Sequence, residues 1–244
     1  MRLYLVLALL CVQTAAGQYV SRRAAAGGGG TTYDTLSMQI ANTYADQQMY
    51  AAGSVVLNGE SSTGDSYVGE YGANADYMGA FQFTFPSAIA AGKTIQSAVL
   101  SLYGWDTYNL GSGLVCAVWI SDSATVADWT SNNHVMTKPD LPSWCTQTTV
   151  ACVTYPATRA AGVLWPSSGT MNGVWSTTGW NASPDIKTLI QHLVDTYGGI
   201  ASGAKIRVWF GSHAILNAGT EVGFRDYAYT TKADAPKLTI IAQH

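Results

Sequence analysis

One segment of the sequence repeats its apolar residues at helical spacing, and strand-like segments lie on both sides of it. Apolar side chains recur there every three or four residues, as on the buried stripe of an amphipathic helix. The stripe comprises Ile186, Leu189, Ile190, Leu193, Val194 and Tyr197. Ser183 can cap such a helix, Pro184 suits its first turn, and Gly198 can end it. The pattern predicts one amphipathic helix over about residues 184–197.

The segments around this helix have the composition and alternation of strands. They cover residues 78–85, 94–103, 114–120, 205–211, 221–230 and 237–242. Within 78–85, Phe81, Phe83 and Phe85 share one face of a strand. Strands, a single helix and further strands favour antiparallel pairing over the regular alternation of a parallel α/β sheet. The sequence therefore predicts an all-β fold, an antiparallel jelly-roll β-sandwich with one helix.

The chain is poor in charge. Only 11% of its residues are charged, under half of the usual share, and Ser, Thr, Gly, Ala and Asn take their place. This composition suits strands and turns. The formal net charge is -3, and no segment concentrates basic residues on one face. Nucleic acid is therefore not an expected partner.

The first residues look like a targeting segment. Arg2 precedes an apolar run, and the small residues Ala15, Ala16 and Gly17 follow it. The run is too short to span a bilayer comfortably. We expect a secreted protein, or one at a particle surface, without a transmembrane span in the mature chain. The expected division is 1–17 as a signal peptide or a retained apolar segment, 18–32 as a Gly-rich arm or linker, and 33–244 as the sandwich domain.

Two cysteines bracket a short loop in the middle of the chain. Cys145 and Cys152 enclose the residues TQTTVA. In an exported protein this spacing predicts a disulfide that closes the loop. Cys116 lies in an apolar strand-like run, where we expect a buried thiol.

The loop-rich middle of the chain is rich in tryptophan. Sugar rings stack their apolar C–H faces on aromatic side chains, and Asn or Asp groups bond the hydroxyls. The candidate ligand-binding residues are Trp144, Trp129, Trp165, Trp175, Tyr108 and Asn109, with Trp144 as first choice. Burial in the sandwich core is the competing explanation for tryptophan. Counting Trp180 with the four tryptophans, we expect two of the five to be exposed.

Three carboxylates surround a turn early in the chain, namely Asp65, Glu70 and Asp76. They are either solvated turn residues or oxygen ligands of a structural calcium ion, although the spacing is not that of an EF-hand. Catalysis is not expected. The sequence contains no G-x-S-x-G turn, H-E-x-x-H helix, P-loop or dinucleotide fingerprint.

The order of elements between about residues 70 and 241 resembles the DNRLRE-like jelly-roll modules of secreted bacterial proteins and phage particles. The matching pieces are the strand 81–85 followed by IQSAVLSL, the helical SPDIKTLIQHLV, and FRDY followed by APKLTI. The resemblance implies a non-catalytic jelly roll that serves as a carbohydrate-binding-like or structural appendage.

Three functional hypotheses follow. The first is an extracellular, non-catalytic binding or adhesion module whose partner is a polysaccharide or surface glycan. The second is a structural subunit of an extracellular filament or phage appendage, which self-associates through the arm 18–32 and through strand edges. The third is a polysaccharide-active enzyme, which would need carboxylates that converge in a cleft.

Overall fold

The computed structural model describes residues 12–14, 18–23, 31–42, 46–51, 55–58, 65–70, 76–110, 113–129, 162–213, 219–229 and 231–244. The strands in these ranges are β1 (Val12–Thr14), β2 (Gln18–Arg23), β3 (Tyr33–Gln39), β4 (Asp46–Ala51), β5 (Val55–Asn58), β6 (Asp65–Glu70), β7 (Asp76–Thr84), β8 (Ile89–Ala90), β9 (Ile95–Tyr108), β10 (Cys116–Ile120), β11 (Val163–Trp165), β12 (Trp180–Ala182), β13 (Gly199–Ile200), β14 (Lys205–Ser212), β15 (Glu221–Arg225) and β16 (Lys237–Gln243). The α-helix found there is α1 (Lys187–Tyr197).

The strand pairs in the described ranges are antiparallel. Most strands join one curled sheet in the order β1-β2-β3-β16-β9-β15-β6-β7-β14-β10-β11. β12 pairs with β9, β4 pairs with β5 and β7, and β8 pairs separately with β13. This arrangement confirms the predicted all-β, antiparallel, sandwich-like class with one helix.

The long strand β9 connects two parts of the curled sheet. Its residues 95–101 pair with β16, and its residues 104–108 pair with β15. The register with β15 shifts between Gly223 and Phe224, which is where β9 bulges. One strand thus belongs to two layers, and the sheet curls around the core at this point.

The core lies between the inner faces of the curled sheet. Alternate residues of β9 and β16 are buried there, as expected for strands with one covered face. They include Ala98, Leu100, Leu102, Leu238 and Ile240. Phe81, Phe83 and Phe85 are buried in the same core, which confirms their predicted common face. Full burial of one such side chain contributes about 1.5–3 kcal/mol.

The helix begins at Lys187 rather than at 184, because Ser183 is used elsewhere. The Ser183 hydroxyl oxygen accepts a hydrogen bond at 3.0 Å from the N–H of Leu100 on β9. Asp185 accepts bonds of 2.9 Å from the N–H groups of both Lys187 and Ala98. The carboxylate of Asp185 therefore connects the helix start to β9.

The buried face and the end of α1 follow the sequence pattern. Ile190, Leu193 and Val194 are buried against the sheet. Gly198 ends the helix with a φ of 71°, a left-handed conformation that favours glycine.

The segment predicted as an arm contains a strand. Residues 18–23 form β2, which pairs with β3 along residues 33–37. β1 in turn pairs with β2. β3 pairs with β16 on one side, and β2 satisfies the hydrogen-bonding groups of its other edge.

Candidate functional site

Tyr103 and Trp105 lie two residues apart on the outer face of β9. Leu102 and Gly104 are buried, so the side chains at 103 and 105 point away from the core. Trp105 is 39% exposed. Two aromatic rings therefore stand on the solvent side of the strand that connects the two layers.

Arg225, at the end of β15, lies among these rings. Its guanidinium carbon is 4.1 Å from the ring centre of Tyr229, 4.6 Å from that of Tyr103 and 5.8 Å from that of Trp105. Asp234 accepts a hydrogen bond from its Nη1 at 2.5 Å. A cation over an aromatic ring contributes about 0.5–1 kcal/mol at exposed sites. Arg225 thus holds three rings in a common arrangement.

Trp180 extends the row of rings beyond Tyr103. The two residues are opposite each other in the β12–β9 pair, and their ring centres are 5.6 Å apart in an edge-to-face arrangement. Nζ of Lys237 lies 4.0 Å from the ring centre of Trp180. Trp180 is 40% exposed. We call Tyr103, Trp105, Trp180 and Tyr229, with Arg225 and Lys237, the aromatic face.

The loop before Trp180 crosses β9 directly over Gly104. A Cβ at position 104 would lie 1.7 Å from the carbonyl oxygen of Ser176, so a side chain cannot be accommodated there. The Gly104 N–H donates to the carbonyl of Gly179 at 2.8 Å. Asn181 donates to the Ser176 carbonyl at 2.9 Å and accepts from the Ser176 N–H at 2.7 Å. These contacts fix the position of Trp180 on the aromatic face.

Tyr67 of β6 joins the aromatic face to a group of carboxyl side chains. Trp105 forms a side-chain hydrogen bond with Tyr67. Burial raises the pKa of the Tyr67 hydroxyl, and the negative charges of Asp106, Asp65 and Glu221 raise it further. We call Asp65, Asp106 and Glu221 the carboxyl cluster.

Glu221 is the buried member of the carboxyl cluster. It is 7% exposed, and among the described residues no hydrogen-bond partner reaches its Oε1. Burial, followed by the charge of Asp106, raises the pKa of Glu221 to about 7. Asp106 itself is exposed to solvent. Glu221 therefore keeps its proton up to near-neutral pH, and the neighbouring Asp106 presents an exposed carboxylate.

Asp226 turns the chain immediately after β15. It is buried, and it accepts hydrogen bonds from the Ser66 hydroxyl at 3.1 Å and from the Ala228 N–H at 2.8 Å. Burial raises the pKa of Asp226. This turn places Tyr229 over Arg225.

Trp165 and Trp175, two of the predicted ligand-binding residues, are buried. Their ring centres are 5.7 Å apart, and Phe210 lies 5.0 Å from the first and 6.0 Å from the second. The Trp175 indole N–H donates to the carbonyl of Gly223 at 3.3 Å. Their assignment to ligand binding is wrong, because these rings fill the core and present no open face to a sugar.

Trp129 is buried as well, and it covers a buried cation. The guanidinium carbon of Arg207 lies 4.0 Å from the ring centre of Trp129. Nη2 of Arg207 donates to the Ala127 carbonyl at 2.6 Å and to Gln82 at 3.1 Å. Burial lowers the pKa of Arg207 to about 9. The assignment of Trp129 to ligand binding is also wrong, since its ring packs on Arg207.

Tyr108 and Asn109 lie at the exposed end of β9, in the turn that was predicted. Tyr108 is 63% exposed, and Asn109 has a φ of 49°. Glu221 pairs with Tyr108, so this end of β9 adjoins the carboxyl cluster. Their role in ligand binding stays a prediction.

Four residues singled out in the sequence remain, namely Trp144 and the three cysteines Cys116, Cys145 and Cys152. Trp144 and the Cys145–Cys152 pair lie outside the described residues. Cys116 is buried in β10, as its apolar surroundings predicted.

The three carboxylates predicted as calcium ligands do not converge. Asp65 and Glu70 are the first and last residues of β6, so their Cα atoms are about 16 Å apart. Asp76 pairs with Glu70 at the far end of the strand. A single ion held by all three is therefore excluded. Among the described residues, no group of three or more His, Cys, Asp or Glu is placed to hold a metal.

Most residues of the aromatic face were missed because the strand was predicted to end at Tyr103. β9 continues to Tyr108, and the sequence Tyr-Gly-Trp at 103–105 then places two aromatic rings on one face. This two-residue spacing was the available signal. Arg225 and Tyr229 carry no comparable signal, since their proximity to β9 depends on sheet order.

Comparison with protein-family models and with curated proteins finds no match for this chain. In the ranges that the structure describes, no helix is both long and apolar enough to cross a membrane.

Proposed function

We propose that this protein is an extracellular, non-catalytic glycan-binding module whose ligand lies across the aromatic face. The observation that supports this most directly is the row of rings Trp180, Tyr103, Trp105 and Tyr229 on one side of the sheet. Partly exposed rings in fixed orientations stack on the apolar faces of sugars. Charged groups beside the rings can bond the sugar hydroxyls.

Preorganisation of these rings supports ligand binding over a purely structural role. Trp105 and Trp180 remain about two-fifths exposed although cation–π contacts and hydrogen bonds already fix their orientation. A surface that is ordered before it binds loses less conformational entropy on binding. The resemblance to DNRLRE-like modules and the apolar N-terminal segment agree with an exported appendage.

A glycan array, followed by affinity electrophoresis on the retained polysaccharides, tests this proposal with the full chain. The double variant Trp105→Ala/Trp180→Ala should lose about tenfold or more in affinity, since each stacked ring contributes about 0.5–1.5 kcal/mol. Tyr197→Ala is the matched control, because this exposed ring lies on α1 beside Asp122. Unchanged retention by the double variant would overturn the proposal. Release of reducing ends from a retained polysaccharide would contradict its non-catalytic part.

A structural subunit is the second candidate function. β1 and β11 are the end strands in the hydrogen-bonded order of the described residues, and Leu164 of β11 is exposed. An edge strand with an exposed apolar residue can pair with another copy of the chain. Light scattering distinguishes the two functions, since a monomer at all concentrations contradicts the subunit and regular polymers without glycan retention support it.

A further inference from the structure

We propose that the carboxyl cluster is a subsite for a primary ammonium group, so that the preferred ligand is a saccharide built from amino sugars with free amines. The inference rests on the proposed function, because the amine is carried by a sugar ring stacked on the adjoining aromatic face. Trp105, which hydrogen-bonds Tyr67, belongs to the aromatic face and adjoins the cluster.

The cluster is built by the register of three neighbouring strands. Across β9, β15 and β6, Asp106, Gly223 and Tyr67 lie side by side. Glu221 is two residues along β15 from Gly223 and therefore on the same face. Diagonal neighbours in such a sheet are about 7–8 Å apart at Cα, within reach of long side chains. Glu221, which is buried, and Asp106, which is exposed, thus lie on the same face of the sheet beside Tyr67.

Two glycines lie beside these carboxyl groups, and neighbouring atoms approach both of them closely. Gly223 carries no side chain between Asp106 and Tyr67, and Gly69 carries none opposite Glu221 on β6. Gly69 has a φ of 127°, and an added Cβ would lie 2.1 Å from the carbonyl oxygen of Thr220. A side chain from β6 is therefore excluded at the position beside Glu221.

The buried Oε1 of Glu221 is the observation that indicates a ligand. It is removed from water, and no donor among the described residues bonds it. A buried polar atom without a partner is costly, and the cost disappears when a ligand supplies a donor. Asp106 next to it adds a negative charge, so the favoured donor is cationic.

The arrangement favours an ammonium group over a metal ion. Calcium requires several oxygen atoms within 2.3–2.6 Å of one point, and the described residues offer no group of three carboxyl, His or Cys side chains with that convergence. An ammonium group donates three hydrogen bonds to acceptors that are spaced more widely. The rings of Tyr67, Trp105 and Tyr108 add cation–π attraction beside the carboxyl groups.

The charges around the subsite agree with this choice. The carboxyl groups of the subsite are Asp106 and Glu221, and Asp65 lies farther along β6, opposite Arg225. Arg225 is already paired with Asp234, and Lys237 lies on the far side, over Trp180. An anionic sugar would meet like charge at the cluster, whereas an amine would meet the exposed carboxylate of Asp106 and the buried Oε1 of Glu221.

Protonation provides a readout specific to this subsite. The groups beside Glu221 are Asp106 and Tyr108 on β9 and Tyr67 on β6, whereas Asp65 and Arg225 are opposite each other farther along the β15–β6 pair. Burial and Asp106 raise the pKa of Glu221 to about 7, and a bound ammonium would lower it again. At about pH 6, where the amine of the sugar is already charged and Glu221 is still protonated, binding should therefore release protons to the buffer.

Calorimetry with two probes tests the inference on the full chain. Chitosan oligomers carry free amines, and their N-acetylated counterparts have the same backbone without the charge. Wild type should bind the amine form about tenfold more tightly, which corresponds to about 1.4 kcal/mol. Glu221→Gln and Asp106→Asn should each reduce this ratio toward one. Tyr197→Ala should leave the ratio and both affinities unchanged.

Measurement in two buffers of different protonation enthalpy should show proton release by wild type and none by Glu221→Gln. Equal affinity for the two oligomers in wild type would overturn the subsite, as would an amine preference that persists in both carboxyl variants. If other glycans bind through Trp105 and Trp180 while chitosan does not, the subsite is wrong and the glycan-binding function stands. If no saccharide binds, the ammonium subsite and the glycan-binding function are both wrong.

Discussion

Gly223 and Tyr67 are opposite each other in the β15–β6 pair, and the Tyr67 ring occupies the space above Gly223. A Cβ at position 223 would lie 3.0 Å from Cε1 of that ring and 3.3 Å from the backbone nitrogen of Asp106. The absence of a side chain at 223 therefore allows the Tyr67 ring to lie over β15, beside both Trp105 and the carboxyl cluster. The aromatic face and the cluster meet because of this one close approach.

Gly223→Ala should move the Tyr67 ring by a few tenths of an ångström and weaken its hydrogen bond with Trp105. We expect a loss of unfolding free energy of about 1–3 kcal/mol, as for a modestly overpacked site, and a weaker affinity for glycans. Urea unfolding and affinity electrophoresis measure the two effects. Gly179→Ala is the control, because its Cβ would approach nothing closer than the Ser176 hydroxyl at 3.6 Å. Equal behaviour of the two variants would contradict the role of Gly223.

Glu221→Gln should change how stability depends on pH. The pKa of Glu221 is about 7 in the folded protein against an ordinary value of 4.5, so the folded state binds more protons in between. Its contribution to stability is complete below about pH 4.5 and falls as pH rises through 7, by about 3 kcal/mol in all. The glutamine variant should match wild type in acid and exceed it at alkaline pH. Parallel profiles from urea titrations across this range would refute the assignment.

Trp175→Ala and Trp180→Ala should separate stability from binding. Trp175 is packed on Trp165 and Phe210, and its truncation should cost about 3–5 kcal/mol of unfolding free energy. Trp180 is partly exposed, and its truncation should cost about 1 kcal/mol or less while it weakens glycan retention. Chemical unfolding and affinity electrophoresis on both variants provide the comparison. A large loss of stability for Trp180→Ala would indicate a structural role instead.

Asp226→Ala should destabilise the turn that carries Tyr229. The Ser66 hydroxyl and the Ala228 N–H would lose their acceptor, at a cost of about 1–3 kcal/mol. Asp226→Asn keeps an acceptor oxygen and removes a buried carboxyl whose pKa burial raises, so its loss should be clearly smaller. Thermal melts at neutral pH rank the two variants. An asparagine variant as unstable as the alanine variant would show that the negative charge itself is required.

Local sequence patterns predict the helix and the main strands of this fold, but they do not predict the residues at which these elements begin and end. The apolar stripe from Ile186 to Tyr197 predicts α1, because periodic burial is a property of one segment. Ser183 could cap that helix by its position in the sequence, yet it bonds Leu100 on a distant strand. The helix therefore begins later than the sequence indicates, because the Ser183 hydroxyl accepts a hydrogen bond from Leu100 of β9 and not from a helix N–H.

The candidate site was less predictable than the fold. Trp175 and Trp180 are five positions apart in one loop-rich stretch, and one is buried against Phe210 while the other stands over Lys237. Residue type and local composition do not distinguish them. The difference arises from which strand each one packs on.

The sequence by itself determined the all-β class, the single helix and the common face of Phe81, Phe83 and Phe85, because apolar periodicity acts within one segment. Only the tertiary structure decided that Arg225 of β15 lies against Tyr103 of β9, and that Glu221 lies near Asp106. These pairs depend on strand order and on a register shift, and hydrogen bonds between distant segments set both.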